Sequence, residues 1–250
     1  GALAQLRGAL ADAKLRLKGD EPNAAERRQE DVLDRIGHLE LDSNDVDGAL
    51  RDFREALRIA ASLPGANDNP NLRYDVASEH ESLGHALVSA KQPDAAESEL
   101  ALGTEIADHL VELDPSHVDW ADLRSDLYEQ VGIVRYEKKD LAGASAAFNT
   151  SYKITMEIAA RDPANLDAAR GVSVLANKLG DVDLEMKDFP GALASFQAAL
   201  ATREKLVAAD PSNADWEHDL FWSHIKLGNA YNEADRDADL RTEFEAAHTV

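Results

Sequence analysis

The sequence predicts an all-α fold of about five antiparallel helix pairs, stacked as a solenoid and preceded by one orphan helix. Two observations carry this. A pattern returns about every 48 residues, and within each return apolar residues advance at helical spacing. No segment alternates apolar and polar residues over a useful length, so strands are not expected.

Five glycines mark the beat, at Gly37, Gly84, Gly132, Gly180 and Gly228, spaced 47, 48, 48 and 48 residues apart. Prolines keep it too, at Pro22, Pro70, Pro115, Pro163 and Pro211. Superposing the glycines aligns further columns. Twelve positions on stand Ala49, Ala96, Ala144, Ala192 and Leu240. Sixteen on stand Phe53, Leu100, Phe148, Phe196 and Phe244, and nineteen on stand Ala56, Gly103, Ser151, Ala199 and Ala247. Trp120 and Trp216 match each other twelve positions before the glycine.

The elements follow in order. Gly1-Ala2-Leu3 repeats Gly48-Ala49-Leu50, and Leu6 and Ala9 match Phe53 and Ala56. Residues 1–21 therefore read as the second helix of a truncated repeat. Repeats then occupy 22–69, 70–114, 115–162, 163–210 and 211–250. A first helix shows in the stripe Trp120, Leu123, Leu127, Val131 and Val134, and a second in Phe189, Ala192, Phe196, Ala199, Arg203 and Leu206. Between the two helices lie Asn44-Asp45, Lys139-Asp140 and Lys187-Asp188. Each Asp falls three residues before Gly48, Gly143 or Gly191, where its carboxylate can accept from a free first-turn amide and cap the helix. Asp162-Pro163-Ala164-Asn165 and Asp210-Pro211-Ser212-Asn213 are turns that lead into a helix start. Both ends of the sequence cut through repeats, so the chain reads as a single repeat domain, a fragment of a longer protein.

Charge narrows the partners. There are 26 Lys and Arg against 48 Asp and Glu, a net charge of −22. Such an excess repels phosphate backbones and anionic lipid, so neither nucleic acid nor a membrane surface is expected as a partner. No apolar run approaches the roughly 18 residues of a membrane helix. With no cysteine, disulfides, thiol nucleophiles and thiolate metal sites are excluded. The same lack suits a bacterial cytoplasm.

The aligned columns resemble the tetratricopeptide repeat (TPR) family. The marks are Leu83-Gly84, Leu179-Gly180 and Leu227-Gly228 in first helices, and the small–Phe–small series Ala192, Phe196 and Ala199 in a second. Tyr231, three after Gly228, also fits. The resemblance covers the whole chain. The family's usual period is about 34, so each unit here is longer by about 14 residues, one or two extra turns on each helix. That makes it similar to the long-helix variant of bacterial multidomain proteins, where such arrays often follow a signalling or enzymatic domain. The resemblance implies a right-handed TPR-like α-solenoid whose first helices line a concave binding side. Glycine and small residues let the helices cross closely, and Phe148 or Phe196 is expected to fill the space between one pair and the next.

Catalytic and metal motifs fail one by one. Phosphate-loop and dinucleotide glycine patterns are missing, and Gly143-Ala144-Ser145 and Gly171-Val172-Ser173 lack the last glycine of a nucleophile elbow. His80-Glu81 is followed by His85, five residues from His80, which turns the second ring roughly 140° from the first. Zinc needs a spacing of four. Ser43-x-Asp45-x-Asp47-Gly48 opens with Ser and has Arg54 where a calcium loop closes with Glu, and Asp235-x-Asp237-x-Asp239 has Leu240 for the required Gly. Both read as capping turns. No catalytic residue, metal or cofactor is expected, and the chain is not expected to be an enzyme.

Three columns four residues apart share one face of the first helices. Three before the glycine stand Asp34, Glu81, Glu129, Asn177 and Ile225. One after stand His38, His85, Ile133, Asp181 and Asn229; five after stand Asp42, Ser89, Glu137, Glu185 and Glu233. The resemblance places these columns in the concave groove. Family members that hold acidic chaperone tails use Lys, Arg and Asn there, a set matched here only by Lys178, Lys226 and Asn229. Asp34, Glu81 and Glu129 would meet such a tail with like charge. The expected role is a protein–protein interaction scaffold holding a basic peptide or basic protein surface at Asp34, His38, Asp42, Glu81, His85, Glu129, Glu137, Asn177, Asp181, Glu185, Asn229 and Glu233. The other reading of the same acids is a solvated face. His38 and His85 share a column in adjacent repeats and would make binding pH-tunable, or else are ordinary surface histidines. An alternative role is a regulatory or structural module that packs against another domain of its parent chain. Phe221 and Trp222, in the last repeat, would leave a sticky end for end-to-end self-association.

Overall fold

In the computed structural model, which describes residues 2–13 and 23–249, the chain is built of helices and turns. The expected proline turn at Pro22, and the rest of 14–22, lie outside the described residues. In order the helices are α1 (Ala2–Ala13), α2 (Ala24–Asp42), α3 (Val46–Ser62), α4 (Pro70–Ser89), α5 (Pro93–Leu113) and α6 (Val118–Glu137). They continue as α7 (Leu141–Arg161), α8 (Leu166–Glu185), α9 (Phe189–Ala209), α10 (Ala214–Glu233) and α11 (Asp237–Ala247). The fold is an all-α repeat, as expected.

The chain forms two compact units, Gly1–Val134 and Arg135–Val250. In the first, α1 packs on α2, α2 on α3, α3 on α4 and α4 on α5. In the second, α7 packs on α8, α8 on α9, α9 on α10 and α10 on α11. No helix can bury its apolar stripe alone, so each hairpin depends on its neighbour.

Local chemistry sets each hairpin. Asn44, Lys91, Lys139, Lys187 and Asp235, each seven residues after a repeat glycine, have φ between 55° and 64°. This left-handed residue reverses the chain after the first helix, and in the first pair it lets Asp45 N reach Glu40 O at 2.7 Å. The second helix then starts on its cap. Asp45, Asp140 and Asp188 accept from Gly48 N, Gly143 N and Gly191 N at 3.0, 3.0 and 3.1 Å. The cap explains the glycine: a Cβ on Gly191 would stand 2.6 Å from Asp188 Oδ2. Boundary turns repeat as faithfully. Asp114 and Asp210 each accept from the backbone amide of Ser116 and Ser212, at 2.9 and 3.0 Å, and Asn165 and Asn213 cap α8 and α10.

The core sits where the columns meet. A Cβ on Gly180 would lie 2.6 Å from the ring of Phe196, so the aromatic column presses on the glycine of its own pair. The expected placement between pairs is therefore half of the account. Phe196 also joins Leu227, Ala230 and Tyr231 of α10 in one buried cluster. Trp120 and Trp216 are buried at their helix starts. At the last pair Phe244 presses on Gly228 yet is 42% exposed.

Candidate partner-binding face

Within the first unit, α2, α4 and the body of α6 bring five of the expected residues into electrostatic reach of one another. Asp34 accepts from Ser82 Oγ at 3.0 Å and lies 3.4 Å from His38 Nε2, so the α2 and α4 faces are knitted together. Its hydrogen bond to Asp34 raises the pKa of His38 against a partial loss of hydration at the ring. His85, in the same column one repeat on, is shifted down by burial and by the charge of His38. The two imidazoles thus favour opposite charge states. Asp42 stands exposed at the end of α2.

Glu81 is the electrostatic centre of this face. Burial pushes its carboxyl up to about 7, and Asp34 and Glu129 push the same way against His38 and Gln130. Asp126, which lies outside the three expected columns, is also raised, by partial loss of hydration and by Asp122, Glu81 and Glu129. Its side chain keeps a wide solvent edge, so a smaller rise than that of Glu81 follows. Partial loss of hydration raises Asp122 as well, its side chain remaining exposed, with Asp119 adding to it. Asp119, Asp122, Asp126 and Glu129 advance by three, four and three along α6, a single helical stripe. Sequence reasoning missed it because it followed repeat columns rather than the stripe within one helix.

The second unit treats its acids differently. Lys226 Nζ lies 2.6 Å from both oxygens of Asp181. Glu185 receives Lys139 Nζ at 3.0 Å and the Tyr136 hydroxyl, which together lower its pKa. Asn177 is buried and its amide donates to Ser173 O of its own helix at 3.2 Å, so it offers no surface to a partner. Glu137, Asn229 and Glu233 are exposed. The charges divide accordingly: residues 1–134 hold 13 Lys and Arg against 28 Asp and Glu, and residues 135–250 hold 13 against 20.

A pairing rule emerges from these contacts. The residue one after a repeat glycine meets the residue two before the next, as in His38 with Ser82 and Asp181 with Lys226. Whether a face is acidic therefore depends on both columns. In the first unit the second column supplies Arg35, Ser82 and Gln130, the last two neutral; in the second unit it supplies Lys178 and Lys226.

Among the described residues, no group of three or more His, Asp or Glu side chains is placed to hold a metal ion. Nor is any described helix long and apolar enough to cross a membrane.

No protein-family model matches the sequence, and no curated protein matches it either. Solved structures do. BtubC (BKLC) from P. vanneervenii superposes with a TM-score of 0.76 at 16% identity, over 99% of this chain and 88% of that one. A Podosopora anserina putative kinesin light chain with nearly identical TPR-like repeats gives 0.55 at 13% identity, over 87% and 92% of the two chains. Aspartyl phosphate phosphatase F from Bacillus subtilis gives 0.56 at 12% identity, over 99% of this chain and 66% of that one. At these identities the likeness is one of architecture: the chain has the fold of the TPR-like repeat proteins.

Proposed function

We propose that this protein is a non-catalytic scaffold for protein–protein interaction, and that the acid-rich face of α2, α4 and α6 holds a basic segment of its partner. One observation carries the reading. Asp34, Glu81, Asp126 and Glu129 stand close enough on this face that like charge adds to lost hydration in raising Glu81 and Asp126 above the usual carboxylate range. A partner's cation would relieve that repulsion and gain a charge-assisted hydrogen bond. Asp181 and Glu185 contribute less, because a partner's cation there must displace Lys226 or Lys139. Repeat arrays commonly use the surface made by successive first helices for binding, and the fold is compatible with that use.

Capture on an array of basic, neutral and acidic peptides tests the proposal. Basic peptides should be retained selectively and released as salt rises. Retention should fall in Glu81→Lys and Glu129→Lys. Equal retention of all three classes, or retention indifferent to both substitutions, rejects the reading.

Self-association is a second reading, favoured by the aromatic residues of α10. Trp222 is 46% exposed, with its ring 5.5 Å from Phe221. Sedimentation that shifts with concentration in the parent chain and not in Trp222→Glu supports it, and a strict monomer contradicts it.

A further inference from the structure

Glu79 stands where the repeat calls for a core residue. Its column, five before the glycine, holds Val32, Leu127, Leu175 and Ser223 in the other pairs. Glu79 is nevertheless 2% exposed, as deeply buried as those leucines. Glu30 breaks a second column, seven before the glycine, where Ala77, Ser125 and Ser173 are small and buried and Phe221 is apolar. The two acids face each other from α4 and α2 and share a hydrogen bond. Burial raises both, so the pair shares a proton where two separate carboxylates would hold none. Glu79 Oε2 is buried with no hydrogen-bond partner. A repeat that breaks its own packing rule twice in one place, and leaves a buried acceptor unfilled, is organised around something other than stability.

The pair forms part of the lining of a cavity of about 530 Å³ between α2 and α4, which Asp31, Asp34, Asp75 and Tyr74 also line. Arg27 and Arg28 line it as well, Arg27 bonded to Asp75 at 2.9 Å. With one proton on the floor pair, four carboxylates against two guanidinium groups leave the cavity acidic, and these carboxyls are not grouped to hold a metal ion.

We propose that this cavity is a socket for the guanidinium group of an arginine side chain on the bound partner segment, with Glu30 and Glu79 as its floor. The proposal rests on the basic-segment reading above. Guanidinium is planar, weakly hydrated and carries five donors in a fork. It can bond both floor carboxyls at once and fill Glu79 Oε2, which a compact, strongly hydrated ammonium does less well.

Calorimetric titration of the full chain with N-acetylarginine amide tests this, with N-acetylcitrulline amide as the neutral isostere and N-acetyllysine amide as the ammonium probe. The arginine probe should bind at least tenfold more tightly than the citrulline probe, and more tightly than the lysine probe. The double variant Glu30→Ala with Glu79→Leu restores residues that other repeats carry. It should melt higher than the parent and lose at least tenfold of the arginine affinity, so lost binding cannot be lost folding. Equal binding of arginine and citrulline probes, no binding of the arginine probe, or full binding by the double variant overturns the socket. The double variant keeps Glu81 and Glu129. An arginine probe that fails on the parent chain, while parent and double variant both still capture basic peptides, would therefore sink the socket and leave the face standing, whereas failure of the face shows in the peptide array itself.

Discussion

His80 Nδ1 lies 2.8 Å from Glu99 Oε2, bridging the first and second helices of one pair. The bond recurs in the last pair, where His224 Nδ1 lies 2.7 Å from Glu243 Oε2. Both histidines stand four before a repeat glycine and both glutamates fifteen after, so the same columns make the same contact. The imidazole that resembled half of a zinc motif turns to α5 instead. A double-mutant cycle on His80→Ala and Glu99→Ala should return a coupling of about 1–2 kcal/mol by urea denaturation. Additive losses would show that the pair is incidental.

Gly180 and Phe196 should be intolerant in opposite directions. Phe196 is fully buried, so Phe196→Ala should cost about 3–5 kcal/mol. Gly180→Ala adds a methyl 2.6 Å from the ring and should cost about 1–3 kcal/mol by forcing α8 and α9 apart. Chemical denaturation followed by circular dichroism reads both. An unchanged midpoint in either variant contradicts the packing described.

The cap at Asp188 offers a smaller and cleaner test. Asp188→Ala removes the acceptor for Gly191 N and should cost about 1 kcal/mol, whereas Asp188→Asn keeps it and should cost a few tenths. Similar losses in the two variants would show that charge, rather than the hydrogen bond, supports α9.

These contacts show what the sequence makes legible. Asp188 with Gly191, and Gly180 with Phe196, are pairs at fixed offsets inside one repeat, so five superposed copies expose them. The hairpins and their turns follow from the same local chemistry. Pairings between successive repeats are harder to see. Lys226 quiets Asp181 from 45 residues away, and a list of acids along one column cannot reveal that. Glu30 and Glu79 were legible in principle, since each is the one acid in a column of apolar or small residues. Their partnership was not, because only the approach of α2 to α4 sets them face to face.

Stability of the first unit should fall as pH rises through neutrality. Glu81 is raised to about 7 from an ordinary value of 4.5, and Asp126, which keeps a wide solvent edge, is raised by less. A carboxyl raised on folding favours the folded state below its unfolded pKa and loses that advantage as pH climbs through its folded pKa. His38, also raised, acts in the same direction, while the lowered His85 acts against it. Melting temperature should therefore be higher at pH 5.5 than at pH 8, and Glu81→Gln should flatten the difference by about 1–2 kcal/mol, the partial solvent edge of Glu81 being allowed for. A level profile in the parent chain, or an unaltered slope in Glu81→Gln, would contradict the crowding on this face.

The most direct test of the binding account is a fluorescence-anisotropy titration of a labelled peptide rich in arginine and lysine against the parent chain and a Glu81→Lys, Glu129→Lys double variant. The account expects saturable binding that weakens steadily with added salt and disappears in the variant, while both proteins melt cooperatively. Saturable binding of equal strength by the two proteins, or a preference of the parent chain for an acidic peptide, would contradict it.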